Sequence, residues 1–574
     1  MKNYKIYTAI LLLTLFSLSC KKDYLERTPG VALSEDEIFG DPAQAARFAD
    51  NAYNFLITKY VRFNDHRGST AQASDEAVSG NSEGSVTTLN RGLYHEHSNG
   101  PSLNDIYGVW RLMYAGIAVQ NKMLARLADV PPAPNATVPI FDPVRVEGEM
   151  RFLRALSYFE LTKRFGGVPI VDRVYEVNED INLPRSTFDQ VTQYIISNLD
   201  IAVTKLGNDG DYSASNYGRP TKGAAQALKA RVLLYAASPL NNPTGDKTKW
   251  QAAADAAKVL MDGRYVLQQN YSDLLNLPSS PEYIMIRIKG PTPLAGEMMQ
   301  DYSMSPGSGG AQGQMNPTQN HVDMYDMANG KPITDPTSGY NPQKPYDGRE
   351  QRFYDNIIYN DRPWQGRKIE MWTTQTTNAQ GQTVTGFSLD YNTTITYTAT
   401  RYYCKKYWPE VYRTVGGSTT LLNYIYFRYA EMMLNYAEAQ NEAVGPDASV
   451  YEQLTKIRQR ALITPGANNL YGLKAGMTQD EMRTAIRHER AIELAFEDHR
   501  WYDIMRWKIG AQAIAVPMRG MDVLKKTDGS FVYTPFVLSA TFQKTWTEAQ
   551  NLYPIPRTEI YKSKGVLTQN PGWE

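Results

Sequence analysis

Cysteine is nearly absent: the 574 residues hold two, Cys20 and Cys404. If Cys20 is committed elsewhere, no internal disulfide can form. That excludes the small disulfide-stapled scaffolds. A chain this long does without such staples, because the fraction of surface buried on folding grows with size. An excess of one charge is also absent. Lys and Arg total 60, Asp and Glu total 60, and the formal net charge is zero. A nucleic-acid surface would show a basic excess, so that class is excluded. After residue 19 no apolar run approaches the roughly 20 residues that a membrane-spanning helix requires. No Pro/Ser-rich linker separates independent units, and six histidines leave few metal ligands.

What is present begins at the N-terminus. Lys2 and Lys5 form a positive flank, and Ile10 to Leu18 is an apolar run broken only by Thr14 and Ser17. Its length and flanks are those of a secretory signal peptide, residues 1–19. Small Ser19 followed by Cys20 predicts a lipidated cysteine as the first residue of the mature chain. Ser17 departs from the Leu usual at that position of such signals. Stable tethering takes two or more acyl chains, which a diacyl-type anchor supplies. Residues 20–40 then read as a lipidated tether.

The body, residues 41–263 and 264–574, is expected to be mainly α and packed as one unit. "LNDIYGVWRLMYAGIAVQNKMLARLAD" (103–129) carries apolar residues at three- and four-residue spacing, which predicts a helix with one buried face. "VEGEMRFLRALSYFELTKRFGG" (146–167) predicts another, stopped by Gly166 and Gly167, with Pro169 beyond. Further helices are expected over 187–206, with Ser186 and Thr187 as caps, and over 221–238 and 249–263. The pattern returns in the C-terminal helical part, 426–510, with 427–443, 449–462 and a long helix over 478–509. These helices come in pairs with small residues where close packing needs them (Ala224, Ala225, Ala230), as in tetratricopeptide-like repeats of about 34 residues. Residues 264–425 hold most of the Gly, Pro, Thr and Asn clusters and read as a loop-rich lobe with short strands at 282–290 and 393–403. Loops on a rigid scaffold are where binding residues collect.

Catalytic patterns fail on inspection. "GNSEG" (80–84) matches the nucleophile-elbow string but lacks the strand before and helix after that the elbow needs. The glycine-rich run 307–313 has no phosphate-loop lysine. His95 and His97 have no third ligand nearby. "HERAIELAFEDHR" (488–500) begins like a zinc-protease helix, but residue 492 is Ile, not the second His. That helix reads as scaffold instead. Thr478 and Glu481 form its capping box, and Arg490/Glu493, Glu497/Arg500 and Asp503/Arg506 sit three apart as surface pairs. Aromatics are the excess: 39 Tyr, 17 Phe and nine Trp. Flat rings with a polar tip stack on sugars or peptide groups. Tyr302, Tyr325, Trp364 and Trp372 lie in the loop-rich stretch and are candidates for that role.

Several segments together resemble the SusD/RagB family of nutrient-uptake outer-membrane lipoproteins. They run in order from Cys20 with "DYLERTP" (23–29) through "EMRFLRALSYFELTKRFGGVPIV" (149–171) and "RPTKGAAQALKARVLLYAASP" (219–239). "YDGREQRFY" (346–354), "YIYFRYAEMMLNYAEAQNEA" (424–443) and "IRHERAIELAFEDHRWYDIMRW" (486–507) follow, and "LYPIPRTEI" (552–560) and "LTQNPGW" (567–573) close the set. The resemblance implies a SusD-like fold, with tetratricopeptide-like helix pairs under the loop-rich lobe. It implies a lipid anchor at Cys20 on the outward face of the outer membrane. It implies a non-enzymatic protein, which captures oligosaccharide and delivers it to a TonB-dependent SusC-like transporter; the residues themselves nominate no cofactor and no metal site. Its helix pairs would face that transporter. Loop position and side-chain type nominate His66, His97, Tyr302 and Trp364 as ligand contacts. A RagB-like peptide-capturing protein is the alternative. A surface glycan hydrolase would need a carboxylate pair roughly 5–10 Å apart across a cleft. A structural adaptor would bind a partner and no small ligand.

Overall fold

Helix ends lie where local chemistry places them. The computed structural model describes residues 33–63, 68–80, 85–93, 108–132, 141–176, 178–179, 181–288, 290, 292–293, 313–364, 366–391, 398–408 and 419–574. In chain order the main helices are α1 (Pro42–Asn51), α2 (Val109–Arg126), α3 (Pro143–Phe165), α4 (Phe188–Lys205), α5 (Lys222–Ala237) and α6 (Lys247–Lys258). The C-terminal set is α7 (Tyr429–Ala443), α8 (Ala448–Arg460), α9 (Gln479–Glu493) and α10 (Arg500–Arg506). Thr187 closes a capping box with Gln190 at the start of α4, and Thr478 does so with Glu481 at the start of α9. Each box satisfies two of the orphan donors of a helix start. Helix α3 ends at Gly166, which adopts φ +70°, and a Cβ on Gly167 would meet the Ser186 carbonyl oxygen at 2.1 Å. Only glycine fits both positions.

The helices stack in sequence: α2 on α3, α3 on α4, α4 on α5, α5 on α6. Helix α7 packs next against α6, although residues 259–428 separate them along the chain, and α8 and α9 pack against α7. The lobe is therefore an excursion between two adjacent rungs of one helical stack. The alanines of α5 are the contact surface that permits this spacing: Ala224, Ala225, Ala227 and Ala230 are fully buried.

The lobe is held by short ladders. β1 (Val61–Phe63) pairs with β2 (Gly68–Ser69), β3 (Ala77–Ser79) with β6 (Met315–Pro317), and β4 (Tyr283–Arg287) with β14 (Tyr424–Arg428). β5 (Thr292–Pro293) pairs with β13 (Thr419–Thr420), β7 (Ile357–Ile358) with β12 (Tyr403–Cys404), and β8 (Pro363–Trp364) with β9 (Arg367–Lys368). All are antiparallel. A four-stranded sheet runs β11 (Thr383–Phe387), β10 (Thr373–Thr377), β15 (Arg519–Lys525), β16 (Phe531–Val537), with β10 and β15 parallel. The β15–β16 hairpin lies beyond the helical C-terminal part and was not expected; the Asp528–Gly529 pair at its turn is the signal that marks it.

Three expectations need correction. The 478–509 segment is not one helix: α9 ends at Glu493, Phe496 and Asp498 take φ of 63° and 65°, and α10 starts at Arg500. The stretch read as tether is partly body: Ser34 caps a helical turn, Glu35–Phe39, whose Phe39 is buried in the main core under the Arg126 guanidinium. The helix expected over 249–263 starts at Lys247 and stops at Lys258. No helix among the described residues is long and apolar enough to cross a membrane.

Candidate ligand-binding rim

The break after Glu493 builds the mount for the lobe. Glu493 is fully buried and accepts from Arg352 (3.0 Å), Arg428 (2.7 Å) and Arg460. Arg428 also reaches Glu282 (2.7 Å) and Glu497 (2.8 Å), and Arg352 reaches Glu489 (2.6 Å). Arg458 joins Glu489 (2.8 Å) to Asp326 (2.9 Å), and Lys406 donates to Glu497 at 2.5 Å. Burial acts to raise the Glu493 pKa, but Arg460, Arg428 and Arg352 hold it well below the usual carboxylate range. Asp326 is likewise held at about 2 by His488 and Arg458 against its burial. This network ties β4, β14 and the lobe to α8 and α9. The pairs read as surface contacts are mostly not made: Asp503–Arg506 forms at 2.8 Å, but Arg490 pairs with Asp503 and Arg500 with Asp75. Arg490, Asp503, Arg506 and Asp75 are buried and Arg500 is half-buried, where surface pairs would stand exposed.

The same turn clamps the N-terminal loops. Arg500 donates to both oxygens of Asp75 at 2.8 and 2.7 Å, the Phe496 amide donates to Glu76 at 3.0 Å, and the Thr70 hydroxyl donates to Asp498. Lys544 donates to the Ser74 and Ala77 carbonyls. Phe496 and Asp498 adopt left-handed backbone here, and the Phe496 amide that a continuing helix would use is taken by Glu76. Burial pushes Glu76 up to about 8 and Lys544 down to about 7. Neither Asp75 nor Glu76 stands in an open cleft for acid–base chemistry; they are 9 % and 1 % exposed. The Cys404 thiol is buried and pushed up to about 12, so it is no nucleophile.

Onto this mount the described ends of several loop segments are gathered. The Tyr60 ring lies 5.7 Å from Tyr407 and 4.7 Å from Tyr424. Tyr407 donates to the Phe496 carbonyl, and Phe496 donates to Glu76. Gly80 donates to the Gln314 carbonyl at 2.8 Å, and Thr292 is paired with Thr420. The Tyr60–Tyr407–Phe496–Glu76 contacts and the Gly80–Gln314 bond thus bring together the chain beside segments 64–67, 81–84 and 409–418 and the end of 294–312, and the Thr292–Thr420 pair holds the other ends of 294–312 and 409–418 side by side. His66 and Tyr302 fall within these segments and His97 within 94–107, so all three lie outside the described residues.

Trp364 is described, and it sits in the second core at 3 % exposure. Arg362 and Lys405 lie 5.8 and 5.5 Å from its ring. It offers no open face for stacking, which corrects its assignment as a direct contact. Its place beside the buried β7–β12 ladder turns the indole inward. Tyr325 is fully buried too, with its hydroxyl accepting from Asn356 at 3.0 Å, and Trp372 is half-buried beneath Lys525. Exposed aromatic side chains among the described residues are Tyr217, Phe387 and Tyr561. Tyr217 lies in the α4–α5 connection, outside the loop-rich stretch, and no sequence signal separated it from the other tyrosines.

A model of the SusD family matches residues 281–573. The chain belongs to the SusD family. A second family model, described as starch-binding and associating with the outer membrane, matches residues 23–234. A SusD-like protein P2 of Formosa agariphila is 25 % identical over 587 residues and is covered completely, as is this chain. A SusD-like protein of Bacteroides ovatus is 23 % identical over 70 % of this chain and 66 % of its own. Among solved structures, a SusD-like protein of Bacteroides fragilis superposes with a TM-score of 0.72 at 25 % identity, covering 94 % of this chain and 98 % of its own. A laminarin-binding SusD-like protein shares the fold at a TM-score of 0.58 and 20 % identity, covering 92 % of this chain and 98 % of its own. The mainly α, tetratricopeptide-like architecture is thus that of SusD-like proteins, and the family is associated with glycan binding and the outer membrane.

Proposed function

We propose that this SusD-family protein captures oligosaccharides at the cell surface and delivers them to a TonB-dependent SusC-like transporter, without chemical change to the cargo. The observation that carries the reading is the gathering of loop ends onto one rigid, ion-paired mount, which is what a binding site on a scaffold requires. Family membership and the carbohydrate-binding names of its relatives support it. Cys20 anchors the chain by lipid, and the outward face of the outer membrane is its place of work. His66, His97 and Tyr302 are the proposed ligand contacts, and Trp364 supports them from the core. The helix pairs form the face toward the transporter.

Calorimetry of residues 21–574 against a glycan panel, with product analysis of each mixture, tests this. Saturable binding without turnover is the expected result. Binding of oligopeptides and of no glycan would shift the reading to the RagB-like, peptide-capturing form. Cleavage of the bound oligomer would end the non-enzymatic reading.

A further inference from the structure

A cleft of about 330 Å³ opens on the flank of the scaffold, between the end of α1, the 215–219 connection and strand β4. Its floor is apolar: Leu56, Met285, Ile286 and Tyr426 are buried. Gly218, at φ +93°, brings the 215–219 connection against β4, where its Cβ would lie 3.3 Å from the Ile286 carbonyl oxygen. That turn lifts Tyr217 to the cleft wall with 45 % of its surface open, a plate over which no ring of the described residues packs.

The polar groups are fixed in advance. Arg219 donates to Asp50 at 2.7 Å, Glu149 at 3.1 Å and Asn216 at 3.0 Å. Three of its five N–H donors are thereby used, and the guanidinium is held in place while the rest remain for a ligand. Asp50 is half open to solvent and keeps acceptor capacity beside it. The Tyr53 ring lines the same cleft beneath the Arg219 guanidinium, 5.4 Å from it, and its hydroxyl is buried beside Glu149 and Arg219. Arg287 stands exposed at the mouth, with no ion pair to a described carboxylate.

We infer that this cleft is a saccharide subsite separate from the loop rim. One ring of an oligosaccharide packs its apolar face on Tyr217 and the floor. Its hydroxyls take hydrogen bonds from Arg219 and Arg287 and give them to Asp50. The combination of an apolar face, an aromatic plate and a fixed donor–acceptor fork matches a pyranose, which is apolar on its ring faces and polar around its edge. Tyr426 in the floor lies 5.0 Å from Tyr424, which touches Tyr60, so the cleft adjoins the rim through one run of aromatic rings. A chain held at the rim can therefore continue into it.

The inference rests on the glycan-binding reading, and one experiment separates the two. Wild-type mature chain is run on affinity gels containing starch, laminarin, xylan, pectin or mannan, and any polysaccharide that retards it becomes the probe. Y217A and R287A are then compared with wild type and with Y561A, which removes an exposed ring that does not line the cleft. The expected result is at least fivefold weaker retention for Y217A and for R287A, unchanged retention for Y561A, and unchanged melting for all three. Wild-type affinity in both cleft variants overturns the subsite and leaves glycan capture standing. Retardation of wild type by none of the polysaccharides removes the reading on which the subsite depends, and the subsite with it.

Discussion

Replacing Glu493 with Gln keeps the side chain's size and removes its charge. In the native protein that carboxylate accepts from Arg352, Arg428 and Arg460, and its own exposure is nil. The amide would leave three buried guanidinium groups around a neutral group whose NH2 repels at least one of them. Removing one partner from a buried ion pair costs about 3–5 kcal/mol, because the charge left behind stays desolvated. Unfolding entropy of about 2.1 cal/mol/K per residue gives roughly 1.2 kcal/mol/K for 574 residues. The melting temperature should therefore fall by about 2.5–4 °C. Lys456–Glu452 supplies the control: both side chains are more than half exposed, at 52 % and 54 %. An exposed pair is worth about 0.3–0.5 kcal/mol, so E452Q should move the melt by less than about 0.5 °C. Differential scanning calorimetry at pH 7 in low and high salt reads both. Buried pairs are screened far less than exposed ones, so the E493Q loss should persist in salt. An E493Q melt within 1 °C of wild type, or a loss that salt abolishes, would refute the claim that the network mounts the lobe.

Three further outcomes are expected. Cys20→Ala should release the protein from membrane fractions or stall its maturation, read by fractionation and mass spectrometry; unchanged membrane association would remove the lipid anchor. Glu76, raised by burial from 4.5 to about 8, is more protonated folded than unfolded. Its contribution is complete below about pH 4.5 and is lost as pH rises through 8. E76Q lacks that titration, so the melting temperature of E76Q minus that of wild type should grow between pH 5 and pH 9; a flat difference would contradict the burial argument. Trp364→Ala should cost about 3–5 kcal/mol of stability as a core truncation. Thermal melts should show that loss, and a stable variant with abolished ligand binding would restore Trp364 as a direct contact.

Much of the scaffold was legible. Helices α3, α4, α5, α7 and α8 follow apolar spacing, and their caps at Thr187, Thr221 and Asp447 and the stop at Gly166 are short-range events. Periodicity and capping depend on residues within a turn or two, so a single sequence carries them. The lobe's loop-rich character showed in its composition, although composition cannot tell a buried ring such as Trp364 or Tyr325 from an open one such as Tyr217.

Residue spacing alone pairs Arg490 with Glu493 and Glu497 with Arg500 on one helix surface, because neighbours three apart on a helix face each other. Folding gives those charges other partners. Glu493 goes to arginines from the lobe, from β14 and from α8, Glu497 goes to Arg428 and Lys406, and Arg500 goes to Asp75. The helix then breaks at Phe496 to let them meet. Helix and cap were settled locally by the chain. Which charges are buried, where the long helix stops and how the lobe is fastened were decided by groups from 33 to 425 residues apart, since a desolvated charge takes whatever partner the packed core brings within reach.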